Sequence, residues 1–267
     1  MAGTSGGHWY HSDGTPCHEV ANAKGTGYRN TTVTDARKLG LLPSPTSITG
    51  VLDKGFLNNW AKEQVGKMAF QNRPAEGEDA DAYAKRMTKL AYQQVSDSAE
   101  FGTQFHEVAE NVLNGGKVPK DWEVYINPVL EWKEEAGLEF IEREKVVVNL
   151  KQGYAGTMDI GAKTKDGQPV VIDWKTRKTY PSISDDKIKP YDGQIMQIAS
   201  YAGAYWGEDR VLAKEVYGAN AYVSSTEPGR FVVCKYTGEQ LAEAYNCFLN
   251  ACGVWRYMKN YDPRQKV

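Results

Sequence analysis

Several features are missing from this chain of 267 residues, and each absence removes a class of protein. No run of about eighteen apolar residues occurs, so a membrane-spanning helix is not expected. The opening MAGTSGGHWYHSDGTPCHEV has neither a charged leader nor an apolar run behind it. No secretory signal is therefore visible, and a cytoplasmic protein is expected. Cysteine is scarce: Cys17, Cys234, Cys247 and Cys252 are too few and too scattered for a disulfide framework, and they fit a reducing compartment. Positive charge is not in excess, since 32 Lys and Arg face 34 Asp and Glu. That balance excludes a protein coated in positive charge, though not one with a local basic groove. Histidine is also rare, and His106 is the only one beyond the N-terminal arm. No internal repeat, low-complexity block or linker interrupts the chain, so one domain with an N-terminal elaboration is expected.

What is present reads as helices around a few strands. The first thirty residues show no periodicity and are expected to form an irregular arm. Short helical pieces broken at Pro43 and Pro45 follow, and Phe56, Leu57 and Trp60 share one face of the next helix. Residues 76–94 predict an exposed amphipathic helix. A second helix is expected from Ser98 to Leu113, stopped by Gly115–Gly116, with Phe101, Phe105, Val108 and Val112 as its buried stripe. A further helix is expected from Pro128 to Ala136. Strands are then predicted at 144–150, 154–162 and 169–176, a helix from Gly193 to Tyr205, strands near 217–224 and 230–236, and a last helix from Glu239 to Tyr257. Strands flanked by helices make an α/β domain.

The chemistry gathers in the middle. In VVIDWKTRK (170–178) a carboxylate and an ammonium interrupt an apolar strand. Strand alternation puts Asp173 and Lys175 on one face and Ile172 and Trp174 on the other. The TKDGQ connection decides whether Asp159 joins them. A two-residue loop would pair Asp159 with Trp174, whereas a three-residue loop, Lys165–Asp166–Gly167 with Gly167 left-handed, pairs it with Asp173. The three-residue form is the prediction. Two neighbouring carboxylates suit a hard divalent cation, and Lys175 suits a water or a developing negative charge beside it. On the helix before, Thr103, His106 and Glu110 share a face. His106 is a candidate ligand, and Glu110 a candidate to orient it. Gln194, Gln197 and Tyr201 line up in the same way on a later helix. Lys175, Arg177 and Lys178 are candidates for a phosphate-contacting rim, and Tyr180 and Tyr191 for stacking on bases.

These residues carry a resemblance. GTMD…VIDWKT resembles the core of the PD-(D/E)XK nuclease superfamily, with Asp159 as its first acid and Asp173-Trp174-Lys175 as its D-x-K element. GTQFHEVAE (102–110) is similar to the G-T-x-x-H-x-x-x-E motif of the RecB-like branch. QIASY (197–201) is similar to the Q-h-x-x-Y motif of that branch and of Cas4-like proteins. PSPTSITGVLDKGFLNNWAKEQ resembles an N-terminal block of phage-type exonucleases and of the mitochondrial genome maintenance exonuclease. The four motifs stand in the family's order over roughly residues 40–255.

The resemblance implies a restriction-endonuclease-like core at 96–267, a central mixed sheet flanked by helices, behind an arm and helical elaboration at 1–95. It implies a DNA exonuclease dependent on Mg²⁺ or Mn²⁺, favouring single strands or free ends, in recombination, repair or replication in a bacterial or phage-infected cell. His106, Asp159, Asp173 and the carbonyl of Trp174 would bind the metal, and Lys175 would act at the attacking water. Glu144 matches an acidic position of this branch, although Glu142 is equally well placed by alternation. Gln197 and Tyr201 would position the site or the DNA backbone. The alternatives are a structure-specific or defence-related endonuclease and a catalytically silent DNA-binding scaffold of the same fold. Some relatives hold an iron–sulfur cluster with one cysteine before the core and three after it. Here the later three are spaced C-x12-C-x4-C. That puts Cys247 and Cys252 about 140° apart on a helix, so packing is expected instead of iron.

Overall fold

In the computed structural model, residues 7–52, 55–191 and 193–266 are described, except for the side chains of 55–57, 93–99 and 265–266. The element order is β1 (Trp9–Tyr10), β2 (Glu19–Ala21), β3 (Tyr28–Asn30), α1 (Val33–Leu39), β4 (Leu42–Pro43), α2 (Pro45–Thr49), α3 (Gly55–Gln71), α4 (Ala80–Leu113), α5 (Glu123–Glu135), β5 (Leu138–Asn149), β6 (Tyr154–Thr164), β7 (Pro169–Arg177), α6 (Gln194–Tyr205), α7 (Glu208–Leu212), β8 (Tyr217–Ser224), β9 (Phe231–Tyr236) and α8 (Gly238–Lys259). The architecture is mixed α/β, with a five-stranded sheet in the order β5-β6-β7-β8-β9. The first three strands form an antiparallel meander. The chain then crosses over through α6 and α7 to place β8 parallel to β7, and β9 returns antiparallel.

Alternation along β7 divides the core. Ile172 and Trp174 face α4 and α5, where they pack with Phe105, Ala109, Ile126 and Val129. Val171 faces the other layer with Ile198 of α6 and Leu241, Phe248 and Trp255 of α8. Trp174 is 2% exposed, its ring edge-on to those of Phe105 and Trp132 and tilted against Phe140. Full burial of such a side chain is among the larger single contributions to a core.

Several expectations are corrected. The arm is not irregular: Trp9 and Tyr10 are 2% exposed, β1 pairs with β4, and Trp9 lies against Trp255. Two buried aromatics thus anchor a stretch that lacks periodicity. The two helices expected at 76–94 and 98–113 are one, α4 of 34 residues, because nothing between them is Gly or Pro. Its Asn114 cap and left-handed Gly115 end it where expected. The expected boundary between residues 95 and 96 falls inside this helix. Pro128 does not start α5 but sits in its second turn. The backbone bond lost there is offset by burial of Ile126 and Val129 at 1% exposure each. β5 begins at Leu138, six residues before the expected start at Glu144. Pro45, expected as a break, opens α2 as its first residue, capped by the Ser44 side chain on Ser47 N–H. The expected pairing of Phe56 and Leu57 with Trp60 lies outside the described residues; Trp60 is 37% exposed. All four cysteines are free. Cys252 packs in the core, but Cys247 is exposed, as its place off the buried face of α8 dictates. Among the described residues no helix is long and apolar enough to cross a membrane.

Candidate metal centre at a fork in the sheet

The turn between β6 and β7 sets the site. Thr164 N–H donates to the Gln168 carbonyl at 3.0 Å, Gly167 N–H donates to the Thr164 carbonyl at 2.9 Å, and Gly167 has φ +83°. This is the three-residue loop, and it pairs Lys163 with Pro169 and Ile160 with Ile172. Asp159 therefore falls opposite Asp173, the register expected from the spacing. At this point the ladder stops. β6 continues on β5 back to Tyr154, and β7 continues on β8 to Arg177, so the sheet forks. The Asp159 carboxylate fills the root of the fork, where its Oδ2 accepts the backbone N–H of Trp174 at 2.7 Å.

β5 supplies the next acid. A register shift between Phe140 and Glu142 adds one residue, so Glu144 falls opposite Asp159, between the pairs Arg143–Ile160 and Lys145–Met158. Glu144 is left-handed, with φ +43°, a conformation costing on the order of 1–3 kcal/mol in a residue with a side chain. Its Oε1 lies 3.2 Å from His106 Nδ1, and Asp159 Oδ1 lies 4.0 Å from the same nitrogen. One ligand atom from each of His106, Glu144 and Asp159 lies within 4.8 Å of the others. This resolves the choice between the two glutamates geometrically: Glu142 lies 3.6 Å from Lys145 and outside the group.

Asp173 stands apart from that trio, a correction to the expectation that it joins Asp159 as a ligand. Its Oδ2 accepts from Lys175 Nζ at 2.6 Å and from Asn220 Nδ2 at 2.8 Å, while Tyr236 donates to Asn220 Oδ1 at 2.6 Å. The tyrosine fixes which way the amide points, and the amide fixes the carboxylate. Asp173 Oδ1 is buried with no hydrogen-bond partner among the described residues. A bare carboxylate oxygen in a residue 1% exposed is costly, and it suits a cation.

Glu110, expected to orient His106, is exposed on the rim of the adjoining cleft, whose volume is about 470 Å³. Glu144 takes the orienting place because His106 Nδ1 turns inward to β5. The same cleft is lined by Gly102, Thr103, Lys175 and Thr176. A Cβ at Gly102 would lie 2.9 Å from Thr176 Oγ1, so glycine is what lets α4 cross β7 closely enough to bring His106 to the fork. On the α6 side, Gln197 Nε2 donates to the Tyr201 hydroxyl at 3.0 Å. Tyr201 packs over Gly156 of β6, where a Cβ would meet Tyr201 Cε1 and Pro45 Cδ at 2.9 Å.

The charges are strongly coupled. Burial first, then repulsion from Asp173, push the Asp159 carboxyl up to about 7, against the pull of His106 and Lys175. Burial depresses the imidazole of His106, but the Glu144 hydrogen bond and the charge of Asp159 outweigh it and hold the group above its ordinary value. Burial likewise opposes the Lys175 ammonium, and Asp173 and Asp159 more than compensate. The Tyr201 hydroxyl is raised by burial and then by Asp173, and stays neutral.

Asn220 is the residue that sequence reasoning missed. The signal was one amide inside the apolar run YGANAYVS, which the parallel register sets beside Asp173. Asn220→Leu leaves a buried carboxylate with one donor fewer. It is expected to lower stability by about 2 kcal/mol in urea unfolding, and no change in the midpoint would show that the contact carries nothing.

No known family model matches the chain, and no curated protein matches it. Among solved structures, the crystal structure of SSO0001 aligns with 76% of this chain and 86% of its own length at 17% identity, with a TM-score of 0.34, a likeness too loose to bear on function.

Proposed function

We propose that this chain is a divalent-cation-dependent nuclease of the PD-(D/E)XK kind, acting as an exonuclease on DNA. The observation that carries this reading is the fork itself. His106, Glu144 and Asp159 converge on one side, and Asp173 offers an unpartnered oxygen and Lys175 an ammonium on the other. Two carboxylates and one imidazole, with the bare Asp173 oxygen across the fork, make a hard, oxygen-rich donor set that fits Mg²⁺ or Mn²⁺. When bound, such a cation supplies Lewis acidity toward a phosphate oxygen and lowers the pKa of water.

The chain's own residues do the rest. The Trp174 N–H holds Asp159 in place, and the carbonyl of Trp174 belongs to the same ligand set in this reading. Asn220 and Lys175 hold Asp173, with the amide oriented by Tyr236. Lys175 keeps its proton and presents positive charge to the phosphorane oxygens, or orients the attacking water. Glu144 keeps the His106 ring turned into the fork. Gln197 and Tyr201 form a neutral hydrogen-bonded wall on the α6 side. The cleft beside α4 admits the strand, and every residue used here lies between Gly102 and Tyr236.

End-labelled linear single- and double-stranded DNA and circular single-stranded DNA, each with Mg²⁺, Mn²⁺ or EDTA, test the reading. Linear strands are expected to shorten from an end with either metal and to survive in EDTA, while the circle stays intact. Cut circles would make the enzyme an endonuclease, and no cleavage in any condition would sink the nuclease reading.

A further inference from the structure

Beyond Lys175 the same face of β7 carries Arg177, and its surroundings are unlike a solvated surface charge. The guanidinium lies over the ring of Tyr191 at 4.6 Å and near that of Tyr222 at 5.9 Å. One N–H donates to the Lys189 carbonyl at 2.8 Å. Gln194, the first residue of α6, ties the arrangement together. Its Oε1 accepts the Tyr191 backbone N–H at 2.8 Å and the Tyr222 hydroxyl at 2.5 Å. Tyr222 is 2% exposed and pairs with Lys175 across the β7–β8 ladder, so the arrangement continues through buried, hydrogen-bonded residues up to the fork. Tyr191 remains 37% exposed at its mouth.

The spacing suits one kind of ligand. Asp173, Lys175 and Arg177 project from one strand face about 7 Å apart, a step of the same order as one nucleotide along an unstacked strand. A planar fork of donors beside an exposed aromatic ring offers both a phosphate contact and a stacking surface. We propose that Arg177 and Tyr191 form a subsite for the nucleotide next to the scissile phosphate. Arg177 takes that nucleotide's phosphate and Tyr191 stacks its base, and the occupant is single-stranded DNA. The inference rests on the nuclease reading for the position of the scissile phosphate, but its test does not require cleavage.

The probe is fluorescein-labelled (dT)12, titrated in EDTA by fluorescence anisotropy at several NaCl concentrations. Arg177→Ala is expected to weaken binding about tenfold and to reduce the slope of log K against log[salt] by about 0.7, the loss of one phosphate contact on a single strand. Tyr191→Ala is expected to weaken binding by a similar factor with the slope unchanged, and Tyr191→Phe to restore it. Arg177→Lys separates charge from shape, keeping the slope while losing part of the affinity. Thermal melts confirm that each variant is folded. Wild-type slope and affinity in Arg177→Ala, or no binding of (dT)12 by the wild type, would overturn the subsite. Binding with these slopes but without cleavage in Mg²⁺ or Mn²⁺ would leave the subsite standing and remove the nuclease reading.

Discussion

On the proposed nuclease reading, Asp173→Asn is expected to give a folded protein that cleaves DNA on the order of a thousandfold more slowly. The replacement is isosteric, so Asn220 and the backbone keep their places, but three things change at once. Oδ1 loses the charge that would make it a cation ligand. Lys175 loses the carboxylate 2.6 Å from its ammonium. The repulsion that helps to raise Asp159 also disappears. Removing one preorganised electrostatic element from a water-poor site typically costs two to three orders of magnitude, or about 3–4 kcal/mol of barrier. Lys175→Met separates the roles, since it is expected to lose rate to a similar extent while retaining Mn²⁺ binding by calorimetry. Asp173→Asn is expected to weaken that binding as well. A wild-type rate in Asp173→Asn, measured on end-labelled single strands, would remove Asp173 from the chemistry.

The strongest local signals were also the ones that placed the site. Alternation put Asp173 with Lys175 and Trp174 behind them, and a single glycine in TKDGQ set the register of Asp159. Both rules act within a few residues, where backbone geometry leaves little choice. What escaped was long-range. Glu144 is named through the resemblance, but its place opposite Asp159 depends on the register shift between Phe140 and Glu142, and nothing in EREKVVV announces that shift or the residue's left-handed backbone. The partner of His106 was sought one helical turn away at Glu110, because helix spacing is the rule a sequence offers. The true partner comes from a strand 38 residues on. Asn220 was visible as an oddity in an apolar strand but had no role until a parallel crossover set it against Asp173. The arm was misread for the same reason: Trp9 and Tyr10 take their order from α8 and β6, far along the chain.

Metal removal should reshape the pH dependence of stability. In EDTA, the urea midpoint is expected to fall between pH 5 and pH 8. Asp159 sits at about 7 in the folded chain against an ordinary 3.8, so over that interval the folded state holds a proton that the unfolded state has released. Stability must then decline as pH rises from about 4 through 7. His106, raised above 6.5, extends the decline upward in the same direction, because its contribution is full below 6.5 and is lost through its higher folded value. The carboxylates held low by arginine hydrogen bonds, Asp35 by Arg29 and Glu78 by Arg86, titrate on the acid side of the window and do not offset it. A carboxyl displaced this far corresponds to a change on the order of a few kcal/mol. Asp159→Asn should therefore flatten the lower part of the profile and raise stability at pH 8 in EDTA. Saturating Mn²⁺ should act in the opposite sense to protons and raise the midpoint more at pH 8 than at pH 5, since the same oxygens and imidazole serve both. An equal Mn²⁺ shift at the two pH values, or an EDTA profile that Asp159→Asn leaves unchanged, would mean that the fork holds neither the proton nor the cation assigned to it.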